Sequence, residues 1–301
     1  MSTPTRLLIT GATGKQGGAV IDALLATPPT NSPIEIYAVT RTKTSPSAAR
    51  LVSKSPLITI IEGDLDNPSL IFSQTPTIHA VFSVQANTDA EETQGKSLID
   101  TSILHGVRHI VYSSGDRGGP TRSATDPTTV KNFAAKYRIE KHLETRCAAA
   151  AATYTILRPV TFYENLTPDV HGKGFARMWE QMGTEKRLQM VSTRDIGWFG
   201  ARALLASDSQ AEPGAVITLA GDELTQAEAA ACFKDVVGKP MPLAPCLLGS
   251  ALKLALRDTV GDMFRWFAEV GYGADVHECR KVHPEMQDFR TWLEGRRGAF
   301  V

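Results

Sequence analysis

The sequence predicts a doubly wound α/β fold: a parallel β-sheet covered by helices on both faces, followed by a smaller mixed α/β lobe. Three observations carry this reading. Apolar strand-like runs alternate with helical patterns through the first half of the 301 residues. The first run ends in a glycine turn, Gly11, Gly14 and Gly17, that opens a helix. After about Phe162 the alternation gives way to scattered helices and short strands broken by proline and glycine. Strand and helix in strict alternation require right-handed crossovers, and those build a parallel sheet.

The elements follow in order. Residues 6–10 form the first strand, and Val20, Ile21, Leu24 and Leu25 then recur at helical spacing until Pro28 and Pro29 stop the helix. Further strands are predicted at 34–40, 57–61, 79–84, 108–113 and 154–158. Each is short and barely alternating, as strands buried on both faces should be. Between them, 91–105 reads as a helix with Leu98, Ile99, Ile103 and Leu104 on its apolar face, and 132–152 as a second with Ile139 and Leu143. The polar stretch 115–129 is a long loop at the C-terminal end of a strand, either a substrate-covering segment or an ordinary surface loop. Asp66 stands where it can cap the helix that follows Pro68. In the second half the clearest element is a helix over 225–237, with Thr225 and Glu228 as a capping box and Gly238 and Pro240 as its stop. The expected division is a Rossmann nucleotide-binding domain over 1–155 and a smaller substrate or partner lobe over 156–301 that shares elements with the sheet.

Composition narrows the function. Hydrophobic residues make up 42% and charged residues 21%, a globular balance with ample core. Lys plus Arg equals Asp plus Glu at 32 each, so no global field favours nucleic acid or an acidic membrane surface, and neither partner is expected. Cys147, Cys232, Cys246 and Cys279 form no CxxC pair and read as free thiols of a reducing compartment. The N-terminus runs directly into the first strand and no apolar run reaches the ~18 residues of a membrane span, so a cytoplasmic location is expected. The spacing of His277, Cys279 and His283 matches no zinc module, no metal is expected, and no G-x-S-x-G elbow offers a serine nucleophile. Phe175, Met178, Trp179 and Met182, with Met263, Phe264, Trp266 and Phe267, recur at helical spacing and read as core or as the lining of an apolar pocket.

A glycine turn between strand and helix is the design of a dinucleotide pyrophosphate site. Gly11 permits the tight turn, Gly14 lets backbone approach phosphate, and Gly17 lets helix and strand pack closely. Helix-start N–H groups and the positive dipole end then face the anion. The residues expected around it are Gly11, Thr13, Gly14, Lys15, Gln16 and Gly17. The cofactor expected is NADP(H). An NAD site places an acid at the end of the second strand to take the ribose 2′-hydroxyl, whereas that end here reads Val39-Thr40-Arg41-Thr42-Lys43. Arg41 suits a bidentate phosphate contact and Lys43 adds charge; an exposed basic turn is the plainer reading of both. At the next strand ends, Asp64 and Leu65 suit the adenine, and Val84, Gln85 and Ala86 the ribose and phosphates.

These residues carry a resemblance. GATGKQGG at 11–18, VTR at 39–41, GDLDNP at 63–68, QGKSLID at 94–100, VYSS at 111–114, KYRIEKHLE at 136–144, LRPVTFYENL at 157–166 and DIG at 195–197 stand in the order found in the NmrA-like proteins, atypical short-chain dehydrogenases/reductases. The chain is similar above all to NADPH-sensing members. The resemblance implies that Lys96 and Lys136 approach the nicotinamide side, and that Phe162, Tyr163, Glu164 and Asn165 form a loop over the nicotinamide ribose. It also implies that Lys136 takes the place of the superfamily's active-site lysine and is the catalytic residue here. The chain departs from the catalytic Tyr-x-x-x-Lys pattern, because Asn132 stands four residues before Lys136 and an amide cannot deliver a proton as a phenol does. Tyr137 lies about 100° around the helix from Lys136, and Tyr163 is an alternative proton donor or a packing residue. Ser113 and Ser114 follow the fifth strand, where the superfamily's serine lies. Two functions are therefore expected to compete. One is reduction, or a cofactor-assisted rearrangement, of a small apolar carbonyl or imine-type substrate; the other is a non-enzymatic NADP(H) sensor acting through a regulatory protein partner.

Overall fold

The computed structural model describes residues 4–27, 33–206, 214–245 and 261–300. The helix stop at Pro28 and Pro29 and the thiol of Cys246 lie outside the described residues. Through the first half the chain runs β1 (Thr5–Ile9), α1 (Lys15–Ala26), β2 (Ile34–Thr40), α2 (Pro46–Val52), β3 (Ile58–Glu62), α3 (Pro68–Phe72), β4 (Ala80–Ser83), α4 (Glu91–Leu104) and β5 (His109–Ser113). It continues through α5 (Pro120–Thr125), α6 (Lys131–Ala150), β6 (Thr153–Pro159), β7 (Thr161–Phe162), α7 (Val170–Glu180), β8 (Arg187–Val191), α8 (Thr193–Leu205), β9 (Ala215–Leu219), β10 (Asp222–Thr225) and α9 (Gln226–Val237).

The main sheet has seven strands in the order β3-β2-β1-β4-β5-β6-β9. The pairs from β3 to β6 are parallel, with Leu8 opposite Tyr37 and Val81, and Tyr112 opposite Ser83 and Ile156. Chain order reverses between β1 and β4, the switch point where doubly wound sheets bind ligands at the strands' carboxyl ends. The apolar runs form strands because they are buried on both faces: every residue of β4 and β5 is buried. α1 turns Gly17, Val20, Ile21 and Leu24 inward, the i, i+3, i+4, i+7 stripe of a surface helix. A second sheet, β10-β8-β7, is mixed: β10 runs antiparallel to β8 and β7 parallel to it.

By its contacts the chain forms two compact units, each discontinuous in sequence. The first comprises residues 1–114, 135–158 and 194–217, and the second 115–134, 159–193 and 218–301. The first has an aliphatic core over its sheet, including Leu8, Val81, Leu98, Ile110, Ile139 and Ile156. The core of the second is aromatic and sulfur-rich. Met178, Trp179, Phe264, Trp266 and Phe267 are buried in it, and Phe175, Met182 and Met263 pack against it, so the helical-spacing residues are core.

Several local expectations change. Leu104 is 82% exposed, because α4 ends on it and the chain leaves through Gly106 at φ +76°. Asp66 does not cap α3: Asn67 holds that position without a side-chain bond, and the Asp66 carboxylate accepts from Gln94 Nε2 at 2.7 Å. The 115–129 stretch holds α5 and is anchored from beneath. Asp116, fully buried, accepts from the N–H groups of Gly118, Gly119 and Gly273 and from Ser123 Oγ. The equally buried Arg117 guanidinium donates to the carbonyls of Gly115 and Ser123. The capping box forms as predicted, with Thr225 Oγ1 accepting from Glu228 N–H, the Glu228 carboxylate accepting from Thr225 N–H, and Gly238 closing α9 at φ +82°.

Candidate nucleotide-binding site

The first unit gathers most of the predicted residues at the carboxyl ends of β1 to β4. Gly11 leaves β1 at φ +58°, and a Cβ there would stand 2.8 Å from Val84 Cγ1. A Cβ on Gly17 would stand 2.4 Å from Gly11 O, so only glycine lets α1 start this close to the turn. Gly14 caps α1 with no side-chain bond, and the first turn carries no acid. This helix end suits an anion: its backbone donors are not taken by a side-chain cap and the dipole is not neutralised by a carboxylate. The cradle therefore fits a dinucleotide pyrophosphate.

Thr10, absent from the sequence prediction, buckles the switch point. Its backbone N–H and its Oγ1 both donate to Phe82 O, at 3.0 Å, and Oγ1 accepts from Val84 N–H at 2.9 Å. Val84 is thus held against Gly11, and Gln85, buried, donates to Ser83 Oγ at 3.0 Å. Ala86 follows, its carbonyl accepting from Thr88 N–H. Ser113 donates to Gln16 Oε1 at 2.6 Å, so the serine that ends β5 fixes a side chain in the first turn of α1. Thr13 and Lys15 are exposed on the glycine turn.

At the ends of β2 and β3 the picture gains a residue. Arg41 and Lys43 are exposed, and β3 brings Glu62 to the same turn: Thr40 and Glu62 are register partners, and Glu62 Oε2 accepts from Lys43 N–H at 2.6 Å. Reading one strand at a time could not reveal an acid supplied by its neighbour. Asp64 is exposed and accepts from Asp66 N–H at 3.0 Å, and Leu65 packs partly against the aliphatic core.

The two lysines differ. Lys96 Nζ donates to Glu92 Oε1 at 2.6 Å, an i,i+4 pair on α4. Burial raises the Glu92 carboxyl, but its bonds to Lys96 and Arg138 outweigh this and hold it below the usual carboxylate range. Lys136, on α6, is bonded to Glu91, the first residue of α4. Glu91 is 1% exposed, and its second oxygen has no hydrogen-bond partner among the described residues. Burial pushes the Glu91 carboxyl above its ordinary range, against the opposing pull of Lys136. Asn132 precedes Lys136 by one turn of α6, and Tyr137 lies under Lys141 Nζ, 5.6 Å from its ring centre. A buried, bidentate Arg158–Glu140 pair, at 2.8 and 3.0 Å, ties β6 to the same helix.

The second unit contains the remaining predicted segment. Phe162 ends β7, and Tyr163–Asn165 form a single 3₁₀ turn. Tyr163 is fully buried, packed on Phe289 and Trp292 with its hydroxyl 3.4 Å from Gln287 O, which makes it a packing residue. Glu164 is buried and accepts from Thr193 N–H and Trp292 Nε1, each at 3.1 Å. Phe162 and Asn165 are half-buried. Cys147, Cys232 and Cys279 are free thiols, and burial pushes Cys147 up to about 11. Among the described residues no three His, Cys, Asp or Glu side chains are grouped to hold a metal ion, and no helix is long and apolar enough to cross a membrane.

Known proteins share this architecture. The NmrA-like oxidoreductase FrzB of Cladobotryum sp is 26% identical over 216 residues, 63% of this chain and 61% of its own length. The chain thus spans less than two thirds of that relative. The NADPH-dependent quinone oxidoreductase of Escherichia coli, solved with NADPH, covers 96% of the chain with 99% of its own, at 22% identity and a TM-score of 0.74. NmrA, a negative transcriptional regulator solved with NAD, covers 97% with 95% of its own, at 17% identity and a TM-score of 0.69. At these identities both structures share the fold, a nucleotide-binding Rossmann sheet with a smaller mixed sheet. The model of the NmrA-like family matches residues 3–294, nearly the whole length, and the chain belongs to that family.

Proposed function

We propose that this chain binds NADP(H) and reduces a small, apolar carbonyl- or imine-type substrate. The observation that carries the reading is the sterically enforced cradle of Gly11, Gly14 and Gly17, in the same unit as a lysine paired with a buried carboxylate. The FrzB-type and quinone oxidoreductase relatives support it. Gly11 to Gly17 and the start of α1 bind the pyrophosphate, Arg41 and Lys43 the 2′-phosphate, and Lys136 the nicotinamide ribose. When bound, NADPH supplies a hydride. Glu91 restricts where the Lys136 amino group can reach, and that group is a proton-bearing donor where Asn132 offers only an amide.

NADPH consumption measured against a panel of quinones, aldehydes, ketones and imines tests this. Turnover is expected with at least one apolar member, and Lys136→Ala should cut it by about 10²-fold or more, the scale of a lost acid-base group, with the circular dichroism spectrum unchanged. Asn132 in place of the tyrosine favours a second reading, a non-catalytic NADP(H) sensor, and the regulator NmrA lends it support. A chain that binds NADPH, turns over nothing on the panel and engages a protein partner differently with NADPH and NADP⁺ would establish that reading instead.

A further inference from the structure

We infer that Glu62 sets the cofactor preference of this chain, acting from β3 as an acid at the end of β2 would and so narrowing the margin by which NADP(H) is favoured over NAD(H). The inference rests on the reading of the site as a dinucleotide site. Glu62 is the register partner of Thr40, one residue before Arg41, and its Oε2 already holds the Lys43 backbone N–H at 2.6 Å. The bond has two consequences. It takes a backbone donor that a 2′-phosphate would otherwise draw on, and it fixes a negative charge at the turn that carries the two cations proposed to bind that phosphate. A phosphate monoester carries ≈ −1.5 to −2 charge, so each NADP(H) bound here meets a repulsion that NAD(H) escapes.

The other carboxylate oxygen serves the opposite purpose. A carboxylate accepts only, and the ribose 2′-hydroxyl of an unphosphorylated dinucleotide is a donor that suits it. Arg41 and Lys43 pull toward the phosphorylated cofactor and Glu62 toward the plain one, all on exposed turns where solvent keeps each contribution modest. The sum is a site that accepts both cofactors with a small bias, and Glu62 is the residue that keeps the bias small.

Glu62→Gln tests this cleanly, because glutamine retains an oxygen for the Lys43 N–H and removes only the charge. Dissociation constants for NADPH and NADH, measured by titration calorimetry on the full chain, give the ratio Kd(NADH)/Kd(NADPH). The ratio is expected to rise roughly three- to tenfold in Glu62→Gln at low salt, with the effect shrinking as ionic strength increases. Charge reversal in Glu62→Lys should raise it further. A ratio that stays within about twofold of the parent in both variants overturns the inference while leaving NADP(H) binding intact. A parent chain that binds neither dinucleotide overturns both this inference and the site on which it rests. All three side chains are exposed, so folding is not at stake.

Discussion

Glu91 is the residue at which chemistry and stability meet most directly. A carboxyl buried to 1% exposure, with one oxygen unpartnered among the described residues, is an expensive anion, and burial lifts its titration above the ordinary glutamate range. The sign of the linkage follows. Below the unfolded value near 4.5, folded and unfolded chains both carry the proton; above it the unfolded chain loses the proton first, so this group subtracts stability as pH rises toward the folded value. Glu91→Gln should therefore lose less stability than the parent between pH 4.5 and neutrality. Urea unfolding at several pH values measures it, and parallel curves for the two proteins would show that Glu91 does not titrate in that window. Lys136 was legible from its motif, but its partner was not, because the two lie 45 residues apart and only the packing of α4 beside α6 joins them.

At the scale of elements, the site depends on how closely helices approach one another. A Cβ on Gly197 of α8 would stand 2.4 Å from the carbonyl oxygen of Ala19 on α1. Gly197→Ala must push α8 away from the helix whose N-terminus forms the phosphate cradle. The expected cost is about 1–3 kcal/mol of unfolding free energy, with weaker NADPH binding alongside it. Denaturant unfolding and an NADPH titration on the same variant check both, and unchanged values would mean that the contact relaxes freely. The six strands β1 to β6 could be read from sequence because burial on both faces makes each a continuous apolar run. β10, Asp222–Thr225, could not: DELT carries no such run, and its strand character comes from antiparallel pairing with β8. The same holds at the site, where the glycines announce themselves locally, whereas Glu62 with Lys43 and Ser113 with Gln16 are contacts made by topology.

For the molecule as a whole, a bound cofactor is a source of stability. A ligand at 100 times its Kd adds about 2.7 kcal/mol to the folded state. At ~2–4 °C per kcal/mol for units of this size, saturating NADPH should raise Tm by roughly 5–10 °C, whereas adenosine, lacking the pyrophosphate, should shift it little. Scanning calorimetry with each compound provides the comparison, and equal shifts would place the binding energy outside the glycine cradle.

The discontinuity of the first unit also has a consequence during biosynthesis. Its third segment, 194–217, contributes most of α8 and the start of β9, and reaches the sheet only after the intervening 159–193 of the second unit has been made. At ~5–20 residues per second, β6 waits on the order of seconds with its outer edge unpaired and α1 without Gly197 against it. An unpaired edge strand is a template for other chains. The nascent Rossmann sheet therefore passes through an interval of aggregation risk that ends when β9 arrives, and a messenger that slows translation between codons 159 and 215 would lengthen that interval without changing the finished protein.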